Sequence, residues 1–134
     1  MEKIAIIGSR TYTNTRKIKD FVFNLKEKLG DNLEIVSGGA KQGADKYAKK
    51  FSLEFGIKYS EFPAYHEPHN QHCVLGAFRY NKQYNVGNYH RRNKDIVDYS
   101  DSVVAFVVDN QVTNGTLSAL RYAEKINKKS IIIS

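Results

Sequence analysis

Three short stretches combine small, flexible residues with hydrogen-bonding groups in an order suited to holding an anion. The first is Gly8-Ser9-Arg10, where glycine allows a tight turn and close backbone approach, and Ser9 and Arg10 can meet a phosphate or sugar. The second is Ser37-Gly38-Gly39-Ala40-Lys41-Gln42-Gly43-Ala44-Asp45, and it carries the most information. Between a strand and a helix it would expose backbone N–H groups at the positive end of the helix dipole, a setting that favours phosphate. Lys41 would add a point charge, and Asp45 would sit in the helix's first turn, where a carboxylate is favoured and can orient a loop amide. The third is Thr113-Asn114-Gly115-Thr116, whose Asn114 and Thr116 suit either a helix cap or a phosphate contact. Each stretch also has a plain reading: a turn with a surface arginine, a glycine bend needed for packing, and an ordinary cap. Neither a Walker loop nor Gly-x-Gly-x-x-Gly occurs, and no cofactor is expected.

A second group of reactive side chains lies between 66 and 90, where all four histidines and the only cysteine fall: His66, His69, His72, Cys73 and His90. Zinc takes such ligands, but this spacing fits no zinc pattern and Pro68 interrupts any helix, so no metal is expected. Tyr65, Tyr80, Tyr84, Tyr89 and Phe78 offer surfaces for stacking a base or for packing the loop onto the sheet. Arg79, Arg91 and Arg92 are placed to meet phosphates by bidentate hydrogen bonds.

The elements that must position these groups follow from hydrophobic periodicity. Lys3–Ile7, Leu33–Ser37, Ile57–Phe62, Val103–Val108 and Ser130–Ile133 read as strands. Helical stripes run through Ile18, Phe21, Val22, Leu25 and Leu29, and through Ala44, Tyr47, Ala48, Phe51 and Phe55. Another helix spans about Tyr89 to Tyr99, and Ala119, Leu120, Ala123 and Ile126 mark the last. Strict alternation predicts a single α/β, Rossmann-like three-layer domain over 1–134, with a mostly parallel sheet of about five strands. An irregular insertion at about 64–88 interrupts the pattern, and long loops of that kind are commonly functional. Open parallel sheets bind ligands beyond the strands' C-terminal edge, so the first three stretches belong on one cleft.

The 134 residues suit one domain with a real core. One cysteine excludes a disulfide scaffold. The N-terminal apolar run, Ile4–Ile7, is too short for a signal peptide, and no run approaches the roughly 18 residues that would cross a bilayer. A cytoplasmic location without membrane partners is the expectation. The net charge of +7 comes from 21 basic and 14 acidic residues and favours an anionic partner. The charge is scattered, which suits a small anion in a cleft better than a duplex-binding face.

Taken in order, Gly8-Ser9-Arg10, the 37–45 loop, Phe62-Pro63-Ala64, Arg92-Asn93 and the strand leading into 113–116 resemble the SLOG superfamily, in particular its small stand-alone YspA-related members. The resemblance implies a Rossmann-like sheet that binds nucleotides, nucleotide-derived molecules or nucleic acid at its glycine loops, with Arg92 and Asn93 among the contacts. Relatives include cytokinin-activating phosphoribohydrolases, the DNA-recombination mediator DprA, and sensors of NAD-derived signals in bacterial–phage conflict. Ala119 stands where the phosphoribohydrolases carry a catalytic glutamate, and no other catalytic residue stands out. The resemblance therefore implies a protein that senses or sequesters a nucleotide metabolite, and a homo-oligomer. Two alternatives stay open: an N-glycosidase with a relocated carboxylate, and a single-stranded DNA binder.

Overall fold

Each apolar run becomes a strand of one sheet in the computed structural model, which describes residues 1–134. The strands are β1 (Glu2–Gly8), β2 (Leu33–Ser37), β3 (Lys58–Glu61), β4 (Ser102–Phe106) and β5 (Lys129–Ile133). The helices are α1 (Thr15–Leu29), α2 (Ala44–Glu54), α3 (Gly87–Tyr99) and α4 (Asn114–Lys125). All strand pairs are parallel, in the order β3-β2-β1-β4-β5. This is the Rossmann-like α/β domain that the alternation predicts.

The pleat divides the core in two. Ile4 and Ile6 of β1, with Val104 and Phe106 of β4, meet Ile18 and Val22 of α1 and Ala44, Ala48 and Phe51 of α2. Ala5, Ile7, Val103 and Ala105 point the other way, onto Ile96 and Val97 of α3 and Ala119 and Ala123 of α4. Period-2 alternation in the central strands thus feeds two helical layers at once, and each fully buried large side chain contributes about 2 kcal/mol. Because α1–α2 and α3–α4 lie on opposite faces, the chain reverses its winding between β1 and β4. A crevice opens there at the C-terminal edge.

Two strands end earlier than the sequence reading has them. β4 ends at Phe106 because Asp109 and Asn110 adopt left-handed φ angles of 50° and 58°, in a turn closed by Gln111 N–H donating to Val108 O at 2.9 Å. β3 spans only Lys58–Glu61, and Phe62 N–H closes onto Ser37 O at 2.9 Å just past it.

The long irregular segment, whose only helical piece is the 3-10 turn Ala77–Arg79, is pinned by its backbone. Glu61 N–H donates to His72 O at 2.9 Å, Asn81 N–H to Glu67 O at 3.0 Å and Lys82 N–H to Tyr65 O at 3.0 Å. At the opposite edge of the sheet the buried Glu34 carboxylate accepts from Tyr99 Oη at 2.6 Å and Ser60 Oγ at 2.7 Å, and Lys58 Nζ lies 3.1 Å away. Burial pushes this carboxyl up, but those three partners outweigh it and hold it below the ordinary range. The cluster ties the end of α3 to β2 and β3. Lys128 Nζ does the same from α4's side, donating to Val97 O and Asp98 O at 3.1 Å and to Ser100 O. No helix is long and apolar enough to cross a membrane.

Candidate functional site

Immediately after β1 the chain must pass between β4 and α2. Gly8 makes this possible: at φ 152° an added Cβ would lie 2.1 Å from Phe106 O and 3.0 Å from Ala44 Cβ. Ser9 N–H then donates to Phe106 O at 3.0 Å, and Ser9 O accepts Ala44 N–H at 3.2 Å. Gly43 completes the junction, since a Cβ on it would sit 2.2 Å from Ser9 O. The first and second loops are therefore locked together backbone to backbone. Ser9 Oγ meets Thr11 Oγ1 at 2.8 Å and holds the turn that presents Arg10.

The second loop is held from inside. Ser37 is fully buried, its Oγ 2.6 Å from Tyr59 Oη and accepting Gly39 N–H at 3.3 Å. Asp45 reaches back from the first turn of α2 to accept Ala40 N–H at 3.1 Å. Burial raises the Asp45 carboxyl above its ordinary value, opposed by the nearby Arg92 guanidinium and the Ala40 amide. From α3, Arg92 donates through Nη1 to Gly38 O at 2.8 Å and Phe62 O at 3.3 Å, and through Nε to Asn93 Oδ1 at 2.9 Å. Asn93 Nδ2 in turn donates to Gly115 O at 3.2 Å. Two adjacent residues of one helix thus fasten the second loop to the third. Nη2 of Arg92 makes no hydrogen bond within the protein.

The third loop is held more lightly. Thr113 caps α4 without a side-chain bond to its amides, and the first helical bond is Leu117 N–H to Thr113 O at 2.8 Å. The amides of Asn114, Gly115 and Thr116 have no partner in the protein. A Cβ on Gly115 would meet nothing within 4 Å.

These loops border one cavity of about 500 Å³ at the C-terminal edge of the sheet. Gly8, Ser9 and Arg10 line it, as do Gly38, Ala40 and Asp45 of the second loop, Arg92 and Asn93 of α3, and Asn114, Gly115 and Thr116. Lys41 and Gly39 line a second hollow of about 400 Å³ instead. Ser37, Gly43 and Ala44 lie beneath the loop and form its foundation. Thr11 joins the cavity wall without having been named from sequence, and Gln42 and Thr113 join it although they were named only as parts of their stretches. Thr113 had a signal, since it stands at the N-cap position of the last apolar-periodic helix. Thr11 had none. Tyr89 stands between the two arginines, its ring centroid 5.4 Å from Arg10 Cζ and 5.7 Å from Arg92 Cζ. Desolvation and the Arg10 charge lower the Arg92 guanidinium's pKa, while Asp45 opposes them. Two like charges held this near one cavity favour an anion between them.

The histidines separate rather than converge. His66 packs against Tyr84 and Tyr89 at centroid distances of 4.7 and 5.0 Å, His69 against Tyr80 at 5.8 Å and His72 against Tyr59 at 5.3 Å. No three His, Cys, Asp or Glu side chains come together as a metal-binding group.

Solved structures share this architecture. A molybdenum cofactor binding protein from Rippkaea orientalis superposes with a TM-score of 0.73 at 18% identity, over 98% of this chain and 75% of that one. The molybdenum cofactor carrier protein of Chlamydomonas reinhardtii gives 0.66 at 17% identity, over 98% and 75%. DNA processing protein A from Helicobacter pylori, described by its single-stranded DNA binding mode, gives 0.65 at 26% identity, over 99% of this chain and 65% of that one. No curated protein matches the sequence. The SLOG resemblance holds at the level of both fold and family. The family model for DNA recombination-mediator protein A matches residues 1–134, and the chain belongs to that family.

Proposed function

We propose that this protein binds a nucleotide or nucleotide-derived metabolite at the C-terminal edge of its sheet, sensing or sequestering it through its phosphate. The observation that carries this reading is the first turn of α4. Three amides without partners belong to residues lining the same cavity as Arg10 and Arg92. Unpaired N–H groups at a helix start form an anion site, and guanidinium groups beside them add charge-assisted bonds. Gly115 leaves that backbone uncovered. Asp45, the one carboxylate on the cavity wall, is engaged with the Ala40 amide, and Ala119 lies on the wall, which supports holding a ligand over hydrolysing it.

Equilibrium titration with the four 5′-mononucleotides and with cyclic ADP-ribose derivatives tests the proposal. Saturable binding that Arg10→Ala weakens at least tenfold is expected. No binding to any of them removes it. A second reading, single-stranded DNA, draws on the family membership and on the Helicobacter pylori relative. It predicts that oligothymidylate affinity falls steeply with salt, with a slope of about −0.7 per phosphate neutralised. A flat salt response excludes it. Release of free base from AMP would instead revive the N-glycosidase alternative.

A further inference from the structure

The two edges of the sheet are finished differently. Along β3 the irregular segment lies against the edge, with Glu61 N–H donating to His72 O at 2.9 Å and Val74 N–H donating to Glu61 O at 3.4 Å. β5 has no such cover. Its inner side is paired to β4, and Val107 N–H donates to Ile133 O at 2.9 Å. Along a strand, residues that bond to one side alternate with residues that bond to the other. Lys129, Ile131 and Ile133 therefore bond to β4, and the N–H and C=O of Ser130 and Ile132 point away from the sheet with no partner in residues 1–134. The side chains add an apolar strip, for Ile131 is 42% exposed and Ile132 51%. Ile131, in register with Val104, lies on the α1 face, and Ile132, in register with Ala105, on the α4 face. Proline, a bulge or an inward-pointing charge ordinarily keeps an edge strand from pairing, and none interrupts Ser130–Ile133.

We propose that β5 pairs with β5 of a second copy of this chain, antiparallel about a two-fold axis at Ile131, to make one continuous sheet. The outward groups set the register. Ser130 of one copy exchanges both hydrogen bonds with Ile132 of the other, and Ile131 meets its own counterpart as a closely spaced, non-hydrogen-bonded pair. Lys129 then falls opposite Ile133. It comes to the end of the strand where the exposed Asp109–Asn110 turn is tied down, Asn110 N–H donating to Ser134 Oγ at 3.1 Å. Neither Lys129 nor Asp109 has an ion pair within the chain, so the two-fold brings complementary free charges together at each end. The two Lys129 residues stay roughly 14 Å apart, four strand steps. Lys17 of α1 stands at the same end, with its ammonium donating to Ser134 O. Pairing along this edge, with the flanking side chains, covers on the order of 1,000 Å² in total, the lower bound for a specific interface. The dimer is accordingly concentration-dependent. The cavity lies between β1 and β4, clear of the joint, so the pairing is independent of what the cavity binds.

Sedimentation equilibrium on the full chain, from micromolar to submillimolar concentration, should show the mass rising from 15.3 kDa towards twice that value. Ile132→Pro removes an outward N–H and leaves the ladder to β4 whole, and Ile131→Lys sets like charges opposite each other on the axis. Each should weaken association at least tenfold while the dilute chain keeps its far-UV circular dichroism. Lys129→Asp and Asp109→Lys should each weaken it severalfold, and the double variant should regain the parent's affinity, a rescue that a purely structural role would not give. In a Cys73→Ser background, mild oxidation should link Ile131→Cys into a covalent dimer and leave Lys129→Cys unlinked. A chain that stays monomeric throughout overturns the proposal and leaves β5 to a strand of another protein. A dimer that Ile132→Pro and Ile131→Lys both leave intact overturns it by placing the interface on another face. Equal linking of the two cysteine variants overturns the register. Should one edge variant fail to fold, the other and the cross-linking pair still decide.

Discussion

The two helix starts that meet at the cavity differ in how firmly the protein itself braces the loop before them. At α2 the loop from Ser37 to Asp45 is braced from within by Ser37, Asp45, Arg92 and the Ser9 backbone, and Gly8 and Gly43 are required by sterics, while the amides of Gly38, Lys41, Gln42, Gly43 and Asp45 keep no partner in the protein. At α4 three amides stay unpaired, and Gly115 faces open space. The glycine-rich stretch that dominates the sequence is construction as well as cavity wall. The quieter Thr113–Thr116 stretch offers free donors on a backbone that no side chain covers at Gly115. Glycine therefore has two uses within one site: in the first it lets backbone meet backbone, and in the second it lets something else meet backbone.

The sharpest way to break that distinction is to add one methyl group on each side. Gly8→Ala places a carbon against Phe106 O in a positive-φ conformation that alanine resists. A loss of about 4 kcal/mol or more is expected, in the range reserved for lost special backbone geometry. Urea unfolding measures it, and a loss under 1 kcal/mol would show that the junction has slack.

Arg92 comes next, because it supports the closed loop and borders the open one. Arg92→Lys keeps the charge but loses the planar fork, leaving Gly38 O, Phe62 O and Asn93 Oδ1 with fewer donors. We expect about 2 kcal/mol of destabilisation, with ligand affinity falling as the loops lose their mutual spacing. Asn93→Ala severs only the link to Gly115 O and should weaken binding with a smaller stability loss. If Asn93→Ala leaves affinity intact, the two loops are positioned independently.

This network also marks the limit of what the sequence discloses. The strands at Ile4–Ile7 and Val103–Phe106 were readable because short apolar runs rich in β-branched residues have few other fates, and the helical stripes marked which side of each helix is buried. Arg92 was readable as a candidate, but its donation to Gly38 O and Phe62 O depends on contacts 54 and 30 residues away in sequence, which no local pattern encodes. The same holds for Glu34 and Glu61, polar residues whose burial is made tolerable by partners on other elements. The segment after Phe62 resisted reading because it is held by backbone bonds to β3 and to itself rather than by a periodic apolar face.

Gly115→Ala should act in the opposite sense to Gly8→Ala. The added methyl enters open space, and alanine is the better helix former, so stability should hold or rise by up to about 1 kcal/mol. Ligand affinity should fall at least tenfold, because the methyl stands over the amides the ligand needs. Unfolding and titration on one sample separate the two effects. A stable variant that binds normally would move the ligand away from α4 altogether.

The smallest effect concerns the closed loop's charge. Burial raises the Asp45 pKa above its reference value of 3.8, so the folded chain keeps this proton to higher pH than the unfolded chain does. The native state then binds more protons between 3.8 and the folded value. Through linkage, stability falls as pH rises across that window and levels off above it. Asp45→Asn preserves an oxygen to accept the Ala40 amide but has no proton to lose. The variant's unfolding free energy should therefore lack this component of pH dependence while the loop keeps its shape. The difference between the two proteins should be least at the acidic end of the window and grow toward neutral pH. A difference that is constant with pH would mean that the carboxyl titrates alike in the folded and unfolded chains, and burial in the second loop would then carry no electrostatic cost for Asp45.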